Sequence, residues 1–370
     1  MPTDLCRRLG LQFPIVAFSH CRDVVAAVSN AGGLGVLGIS GSTVDELDRE
    51  LTWIEDAIGG RPYGVDVLLP APTTEASVRV EDLIPAAHKE FVADLLARYD
   101  VPPLSDGESG RTVSSAMAAH GVALIGAALE HRVGLVASAL GPPPPEMVAL
   151  AHGRGVPVAA LVGRREHAER QRDAGVDIIV AQGYEAGGHV GEIGTMVLVP
   201  EIVDAVAPLP VLAAGGIASG RQLAAALALG AQGVWTGSVW LTTREAETHP
   251  AVVAKFLRAT SSDTIRSRAS TGKPARQLRS AWTDEWENPA NPDPLPMPLQ
   301  SILTADARAR IQRGAHKPDS GAGALITYFV GQVVGSLRTV RPASQVVLDM
   351  VEEYLEVVER LGSSVSGSAS

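Results

Sequence analysis

The sequence predicts an α/β protein, a TIM-type (β/α)8 barrel with a small cap domain inserted after the eighth strand. Short apolar runs bounded by glycine or proline alternate with amphipathic segments from residue 13 to about residue 258, a pattern typical of repeated strand–helix units. Hydrophobic residues make up 46% of the chain and aromatic residues only 4%, which indicates a core of Ala, Val, Leu and Ile, as in buried parallel sheets.

Eight apolar runs are candidate barrel strands, and most of them are followed by a helical pattern. In chain order these runs are residues 13–18, 34–39, 64–69, 134–139, 157–162, 177–182, 210–214 and 233–241. An open doubly wound sheet would show the same alternation, so the motifs must decide between the two folds.

Two stretches interrupt the alternation and are expected to lie outside the barrel wall. The first is an excursion at residues 70–132 within the barrel domain of residues 1–258. The second, residues 259–340, has several prolines and then a helical pattern, which favours a cap over the barrel mouth. Residues 341–361 predict a helix that returns to the barrel, and the small polar residues 362–370 predict a disordered tail.

Composition excludes several classes of function. The formal net charge of −10 disfavours binding to nucleic acid or anionic lipid. Cys6 and Cys21 cannot form a disulfide framework and lack the spaced partners of a zinc site, so no metal is predicted. The start has no apolar signal region and the chain has no uninterrupted apolar span, which predicts a cytoplasmic protein. The oligomeric state stays open, with a homodimer as one alternative.

A pair of glycine-containing loops predicts a phosphate site. The run Val211-Leu-Ala-Ala-Gly-Gly-Ile-Ala-Ser-Gly-Arg221 passes from a strand through Gly215 and Gly216 into a helix, whose first N–H groups are expected to be uncovered. The next strand ends in Gly237 and Ser238, and TIM barrels often bind phosphate between the loops of strands seven and eight. The alternative for either loop alone is a simple tight turn.

His189 is the candidate catalytic residue. It ends the run Asp177-Ile-Ile-Val-Ala-Gln-Gly-Tyr-Glu-Ala-Gly-Gly-His189, at the strand end where barrel enzymes place catalytic groups. A histidine can exchange protons near neutral pH, and Gly187 and Gly188 would let a flat cofactor approach the backbone. A hydrogen-bonded structural histidine is the alternative. Glu185 could position His189 or cap the following loop.

These residues resemble the nitronate monooxygenases, formerly called 2-nitropropane dioxygenases, which are FMN-dependent (β/α)8 enzymes. The stretches that carry the resemblance are Ala181-Gln-Gly-Tyr-Glu-Ala-Gly-Gly-His189, Ala213-Ala-Gly-Gly-Ile-Ala-Ser-Gly220, Gly237-Ser238 and Ser29-Asn-Ala-Gly-Gly-Leu-Gly35. The resemblance implies that Gln182 contacts the flavin and that His189 acts on the substrate. It also implies that the flavin phosphate is held by Gly188, Gly215, Gly216, Gly237 and Ser238.

Weaker matches and departures concern the flavin ring and the substrate. The stretch Pro62-Tyr-Gly-Val-Asp66 resembles a flavin-contacting strand, but Asp66 stands where the family often has Asn. The loop Ala17-Phe-Ser-His-Cys21 replaces a common Gln-Ala-Pro-Met, so His20 is a candidate second acid or base, and Cys21 is either a reactive thiol or a packing residue. Thr271-Gly-Lys-Pro-Ala-Arg276 and Gly331-Gln332 resemble parts of the cap, and Arg276 is a candidate substrate contact.

Two enzymatic hypotheses and one non-enzymatic hypothesis follow. In the first, an alkyl nitronate is oxidised by O2 through FMN, with His189 as anion stabiliser, or as base if nitroalkanes are also accepted. In the second, an NAD(P)H-dependent FMN reductase or dehydrogenase acts on an enoyl or cyclic acyl thioester. The cap arginines Arg266, Arg268, Arg276 and Arg279 could contact the anionic groups of such a substrate, or could equally form a solvated face. A barrel that only binds FMN or another phosphate is the third hypothesis.

Overall fold

The computed structural model describes residues 3–68, 80–104, 117–317 and 320–366. Its strands in chain order are β1 (Ile15–Ser19), β2 (Leu34–Gly38), β3 (Tyr63–Leu68), β4 (Leu135–Ala139), β5 (Val158–Val162), β6 (Ile178–Gln182), β7 (Gly188–His189), β8 (Val211–Ala214), β9 (Gly233–Thr236), β10 (Thr264–Ser267) and β11 (Ala275–Leu278). Eight of these strands form a closed parallel barrel in the order β1-β2-β3-β4-β5-β6-β8-β9. The prediction of a TIM-type barrel is therefore confirmed.

The helices cover the outside of the barrel and build the cap. They are α1 (Asp4–Leu9), α2 (Arg22–Asn30), α3 (Val44–Ile58), α4 (Ala86–Arg98), α5 (Met117–Ala128), α6 (Pro145–Gly153), α7 (Arg165–Asp173), α8 (Thr195–Val206), α9 (Gly220–Ala228), α10 (Pro250–Phe256), α11 (Ala281–Glu287), α12 (Leu299–Gly314), α13 (Ala322–Leu325) and α14 (Ala343–Ser366). Short 3-10 turns lie at Val80–Leu83, Ser238–Thr242, Ser261–Asp263 and Gln332–Ser336. None of the helices in the described ranges has both the length and the hydropathy needed to cross a membrane.

Local sequence signals set several helix ends. Helix α3 begins after Thr43, whose hydroxyl accepts a hydrogen bond from the N–H of Glu46 while the Glu46 carboxylate accepts one from the N–H of Thr43. This reciprocal cap satisfies two N–H groups that the helix itself cannot pair. The same helix ends at Gly59, whose φ of 58° is a left-handed conformation that glycine adopts without a Cβ clash.

The inner core of the barrel is filled by side chains that alternate with outward-facing ones along each strand. Its members on the strands are Val16, Leu34, Val36, Leu135, Ala137, Ala159, Ile178, Val180, Leu212, Ala214 and Trp235. Leu5, Cys6 and Leu9 of α1 belong to the same buried cluster. The N–H of Leu5 donates to the side chain of Gln232, directly before β9, at 2.9 Å. Helix α1 therefore closes the amino-terminal end of the barrel.

The eighth barrel strand is shorter than predicted. Strand β9 ends at Thr236 instead of continuing to residue 241, because Gly237 takes φ −130° and ψ −59° and leaves the extended conformation. The N–H of Trp240 then donates to the Gly237 carbonyl, and its indole N–H donates to the Thr236 carbonyl at 3.0 Å. These bonds turn the chain back over the strand end.

The expectation that residues 70–132 lie outside the barrel wall is wrong for α5. This helix packs against α3 and β3 and so occupies the position of the barrel helix between β3 and β4. The physical reason is burial of an apolar face, since Leu124, Ile125 and Ala128 are almost fully inaccessible to solvent. Helix α4 instead contacts α12. Residues 69–79 and 105–116 lie outside the described residues.

The segment after the barrel forms a small sheet that joins the barrel loops. Strands β10 and β11 are antiparallel, and β11 also pairs with β7, which places Ala275 opposite His189 and Arg276 opposite Gly188. Helix α14 packs against α9 and α2 of the barrel and continues to Ser366, five residues beyond the predicted end at Leu361. The predicted tail is therefore helical over residues 362–366, and residues 367–370 lie outside the described residues.

Candidate active site

The carboxyl ends of the barrel strands open into a cavity of about 1180 Å³. Ten predicted site residues line it: His20, Asp66, Gln182, Gly187, Gly188, His189, Gly215, Gly216, Gly237 and Ser238. They come from the carboxyl-terminal parts of five barrel strands, β1, β3, β6, β8 and β9, which is how TIM-barrel enzymes assemble their sites. The structure therefore brings together residues that are more than 200 positions apart in the sequence.

His189 is fixed by the cap sheet and by one hydrogen bond. Its backbone pairs with Ala275, and its Nε2 lies 2.9 Å from the hydroxyl oxygen of Thr271. Within the described part of the chain, Nδ1 has no protein partner, so it is the ring nitrogen that is free to contact a ligand. The ring also lies 6.3 Å, centroid to centroid, from the ring of Phe329.

The surroundings of His189 keep its imidazole neutral. Burial in the cavity wall and the nearby positive charge of Lys273 lower the pKa of His189 to about 4. Both effects disfavour the protonated ring, because a buried cation loses hydration and is repelled by a like charge. At neutral pH the side chain can therefore accept or donate one hydrogen bond through each nitrogen but carries no charge.

The glycines of the β6–β7 and β8–α9 loops permit close contacts between backbone segments. Gly215 has φ +93°, and a Cβ on it would lie 3.0 Å from the carbonyl oxygen of Gly183. A Cβ on Gly187 would lie 2.8 Å from the nitrogen of Gly331. Larger residues at either position would push these segments apart. The glycines therefore allow the loops to converge around the barrel mouth.

The phosphate cradle forms at the glycine turns and not at the start of α9. In the described residues, the N–H groups of Gly215, Gly216, Gly237 and Ser238 donate to no protein acceptor. By contrast, the N–H of Gly220, which begins α9, donates to the Glu353 carboxylate of α14 at 2.8 Å. The prediction that the first N–H groups of this helix are uncovered is therefore wrong for Gly220, since a carboxylate already caps that end.

A hydrogen bond joins the phosphate turns to the segment that returns from the cap. The hydroxyl of Ser238 accepts from the N–H of Gly331 at 2.8 Å, and the N–H of Gln332 donates to the carbonyl of Glu185 at 2.9 Å. Gly331 also lines the cavity. The weak sequence match at Gly331-Gln332 thus lies at the candidate site.

Asp66 lies within β3, two residues before its end, and Gln182 is the last residue of β6. Asp66 is 5% exposed, and burial raises its pKa to about 7. The carboxyl group is therefore largely protonated below about pH 6, because a buried carboxylate loses hydration that no cation replaces. Gln182 is half-buried at the cavity edge, and its neutral amide can both donate and accept hydrogen bonds.

The altered segment of residues 17–21 is partly strand, since β1 extends to Ser19, and it contributes two rings to an aromatic cluster. The rings of Phe18 and His20 meet edge to face at 5.1 Å, and Phe18 stacks on Trp235 at 6.4 Å. His20 is open to the cavity, but the protein atoms around it lower its pKa by desolvation, partly offset by a hydrogen bond between Nδ1 and the Gly38 carbonyl at 3.2 Å. His20 therefore presents a largely neutral ring to a ligand.

Cys21 has the properties of a packing residue. It is 6% exposed, and its thiol donates to the carbonyl of Glu245 at 2.9 Å. Burial raises the pKa of this thiol, and the neighbouring Glu247 and Asp23 carboxylates raise it further. A thiol with a raised pKa is a poor nucleophile near neutral pH.

Glu185 caps α8 and does not contact His189. Its carboxylate accepts from the N–H of Thr195 at 2.9 Å and from the Thr195 hydroxyl at 2.8 Å. A negative charge at the first residue of a helix is stabilising because the unpaired N–H groups there carry partial positive charge. Of the two roles open to Glu185 in the sequence, the structure supports the capping one.

The comparisons with known proteins agree with this architecture. A family model described as nitronate monooxygenase matches residues 10–353. The chain belongs to the nitronate monooxygenase family. A Mycobacterium tuberculosis H37Rv protein named "Putative monooxygenase Rv1533" is 59% identical over 372 residues, which cover 98% of this chain and 98% of that protein. The resemblance predicted from the motifs is therefore confirmed.

Two solved structures share the fold over nearly the whole chain. Nitroalkane oxidase from Streptomyces ansochromogenes is 28% identical with a TM-score of 0.79, and the match covers 96% of this chain and 99% of that one. FabK from Thermotoga maritima is 26% identical with a TM-score of 0.72, covering 98% and 99%. Together with family membership, the first of these shows that the protein is a flavin-dependent oxidoreductase of the nitronate monooxygenase family.

Not every family motif or predicted contact lies at the site. Gly35, in the early glycine motif, allows β2 to pack on α2, because a Cβ there would lie 2.3 Å from the Val25 carbonyl oxygen. Arg276, predicted to contact the substrate, does not line the cavity. It is 2% exposed, and its Nε donates to the Tyr184 carbonyl at 3.1 Å while its guanidinium covers the Tyr184 ring at 4.4 Å. Arg276 therefore fixes the β6–β7 loop.

Two residues at the site, Thr271 and Arg308, were not predicted from the sequence. Thr271 lies in the stretch Thr271–Arg276, and its hydroxyl contacts His189. The sequence signal for this contact is a hydroxyl residue directly before Gly272, which adopts a left-handed turn with φ +84°. Arg308 lies within the predicted helix of the cap and lines the cavity. A single arginine in a helical pattern gives no sign of the direction it faces, so only the three-dimensional arrangement identifies it.

Proposed function

We propose that the protein uses FMN to oxidise alkyl nitronates with O2, and that His189 contacts the nitronate. The observation that carries the proposal is the neutral, cap-held imidazole of His189 in the same cavity as four N–H groups without protein acceptors. The imidazole suits an anionic organic substrate, and the four N–H groups suit a phosphate.

The residues of the cavity fit FMN. The N–H groups of Gly215, Gly216, Gly237 and Ser238 would hold its phosphate, since backbone donors are the usual partners of phosphate at such turns. A Cβ on Gly188 would meet no atom within 4 Å, so the backbone there borders open space into which a flat ring can fit. When bound, FMN supplies one-electron oxidation of the substrate and electron transfer to O2.

The pKa of His189 favours a nitronate over a neutral nitroalkane as substrate. A base with a pKa of about 4 is poorly matched to removing a proton from carbon near neutral pH, because general bases work best with a pKa near the operating pH. A nitronate has already lost that proton. His189 then needs only to orient and stabilise the anion.

Thr271 sets the role of each ring nitrogen in this proposal. The Thr271 hydroxyl has two acceptors within reach, His189 Nε2 at 2.9 Å and the Lys273 carbonyl at 3.2 Å. If it donates to Nε2, the single proton of the neutral ring lies on Nδ1. From there it can be donated to a nitronate oxygen, which stabilises the negative charge. Asp66, with a pKa of about 7, adds little negative charge at this end of the barrel below neutral pH.

A paired assay tests the proposal. The purified protein should release FMN on denaturation and should consume O2 with an alkyl nitronate in the absence of NAD(P)H. His189→Gln should lower kcat/KM for the nitronate by about 100-fold or more, within the range for loss of one group that stabilises a negative charge in the reaction, while FMN content stays unchanged. His152→Gln is the matched control, because His152 pairs with Asp177 at 2.8 Å and does not line the cavity.

Three outcomes contradict the proposal in different ways. A protein that cannot bind FMN rules out both enzymatic hypotheses. Oxidation of NAD(P)H that is stimulated by an enoyl thioester, without nitronate turnover, supports the reductase alternative. Full nitronate activity in His189→Gln would show that the protein oxidises nitronates without a contribution from His189.

A further inference from the structure

Arg308 is a cavity-lining cation without a protein partner. It lies on α12, and its Nε is sealed from solvent with no hydrogen-bond acceptor. The described residues also provide no acceptor for its two terminal nitrogens, which are not sealed in this way and open onto the cavity. A guanidinium stays protonated at all physiological pH values, so a full positive charge faces this part of the cavity.

Other enclosed arginines of the same region each have at least one acceptor, although Nε of Arg266 and one terminal nitrogen of Arg276 are unpaired too. Arg310, two residues further along α12, donates to the carbonyls of Val101 and Pro102 at 2.8 and 3.0 Å. Arg276 donates to the Tyr184 carbonyl. Burial lowers the pKa of Arg308 with no opposing contribution from a neighbouring carboxylate. An enclosed charge that lacks a counter-charge is unfavourable, so an acceptor supplied by a ligand would relieve it.

Helix α12 places Arg308 close to the reacting end of the site. The hydroxyl of Thr304 donates to the carbonyl of Ser270 at 3.0 Å, and Ser270 precedes the Thr271 that contacts His189. Arg308 follows Thr304 by four residues, which is about one turn and 6 Å along the same helix face. His189 and Arg308 also line the same cavity, so one ligand that extends through it can contact both.

We propose that Arg308 forms an anion-binding subsite of this cavity, and that the substrate carries an acidic oxyanion, either a carboxylate or a phosphate, away from its reacting group. The planar fork of a guanidinium can donate two parallel hydrogen bonds to such a group. The identity of the reacting group rests on the proposed nitronate oxidation. The anion contact itself rests only on Arg308 and the cavity.

Equilibrium binding to the flavin-loaded protein tests the subsite. Succinate and inorganic phosphate are titrated by calorimetry into the wild type, Arg308→Gln, Arg308→Lys and Arg313→Gln. Arg308→Gln should weaken binding of the preferred anion by about 10- to 100-fold, as expected for a charged hydrogen-bond donor, and Arg308→Lys should lose less because the charge remains. Arg313→Gln removes the same charge from an exposed position of α12 that does not line the cavity, so it should bind as the wild type does.

The outcomes distinguish a carboxylate from a phosphate, and they test the subsite separately from the proposed function. Tighter binding of succinate indicates a carboxylate, and tighter binding of phosphate indicates a phosphate ester. In kinetics with an alkyl nitronate that also carries a carboxylate, Arg308→Gln should raise KM with little change in kcat, and KM for an alkyl nitronate without that carboxylate should not change. Wild-type protein that binds neither anion, or Arg308→Gln that binds both unchanged, overturns the subsite. Arg308-dependent binding without any nitronate oxidation overturns the proposed function and leaves the subsite standing.

Discussion

Burial shifts the pKa values of two cavity residues in opposite directions. The pKa of Asp66 rises to about 7 and that of His189 falls to about 4, because in each case the low-polarity surroundings favour the neutral form. Between about pH 5 and pH 6, neither side chain carries much charge. An anionic substrate that enters the cavity in this range meets no carboxylate repulsion from Asp66 and retains the positive charge of Arg308.

Asp66→Asn should stabilise the protein more at pH 8 than at pH 5. The folded state binds more protons than the unfolded state between the ordinary pKa of 3.8 and about 7, so stability falls as pH rises through that window and stays lower above it. Between pH 5 and the raised pKa of about 7, at 1.36 kcal/mol per pH unit, the difference between pH 5 and pH 8 reaches about 3 kcal/mol at most. Urea unfolding at both pH values measures it.

The control for Asp66 is Asp94→Asn, at an exposed position of α4. Its difference from the wild type should be the same at pH 5 and pH 8. If Asp66→Asn behaves as Asp94→Asn does, then the buried carboxyl titrates like an exposed one and the assignment of a raised pKa is wrong.

Thr271→Val should reduce nitronate turnover and move its pH dependence. Loss of the hydroxyl removes the hydrogen bond to His189 Nε2, so kcat/KM should fall by about 2- to 10-fold, the usual value of one neutral hydrogen bond. A hydroxyl that donates to Nε2 stabilises the neutral ring, so its loss should raise the pKa of His189. The acidic limb of the kcat/KM profile should therefore move to higher pH.

Thr271→Ser keeps the hydroxyl and should restore both the rate and the pH profile. A shift of the acidic limb to lower pH in Thr271→Val would show that His189 donates to Thr271. In that case the ring proton lies on Nε2, and Nδ1 cannot donate to the substrate.

Helices α9 and α14 act as one unit at the outer wall of the barrel. The first residue of α9, Gly220, donates to Glu353 and touches the backbone of α14, since a Cβ on Gly220 would lie 2.3 Å from both the Met350 oxygen and the Tyr354 nitrogen. Arg221 also forms an ion pair with Glu353. The end of the chain therefore fixes the helix that follows the phosphate turn.

Gly220→Ala should destabilise the protein by about 1–3 kcal/mol, the usual cost of overpacking a tight contact. The added methyl group must push α14 away from α9, because the atoms it meets belong to the backbone and cannot rotate aside. Thermal unfolding and protease cleavage within α14 measure the effect. Gly126→Ala in α5 is the matched control, since its Cβ would meet no atom within 4 Å, and it should stabilise by about 0.5–1 kcal/mol.

Residues that stabilise the barrel and residues of the candidate site lie at opposite ends of the barrel axis. The amino-terminal end is closed by α1, whose Leu5 is 3% exposed and joins the inner core. The opposite end contains His189 and the glycine turns. TIM barrels commonly divide these tasks between the two ends. Substitutions at the amino-terminal end should therefore change the free energy of unfolding. Substitutions at the carboxyl-terminal end should change the rate of the reaction.

Leu5→Ala should lower the free energy of unfolding by about 2–5 kcal/mol, as large-to-small changes in a buried core do. FMN content and kcat at 25 °C should stay as in the wild type, because α1 lies at the barrel end away from the cavity. Chemical denaturation and steady-state kinetics give the two quantities. A loss of kcat in protein that is still fully folded would contradict the separation.

The sequence was sufficient to predict the barrel and most of the candidate site. Strand order and the glycine turns at Gly215 and Gly237 are local features, and the shared direction of parallel strands brings their carboxyl ends together. The remaining features depend on contacts between distant segments. Glu353 reaches α9 over 133 positions, and neither that contact nor the burial of Arg276 leaves a periodic signal. A helical pattern likewise does not show that the Arg308 side chain faces the cavity.

The pairing of β7 with β11 means that barrel and cap are not separable modules. His189 belongs by sequence to a barrel loop, yet its backbone is held by Ala275 and its ring by Thr271, both contributed by the cap segment. A chimaera that joins this barrel to a cap from another chain would lose the ladder that holds the histidine unless the donor cap reproduced it. Cap and barrel must therefore diversify together, and a library that varies substrate choice should keep residues 271–276 fixed while it samples the rest of the cap.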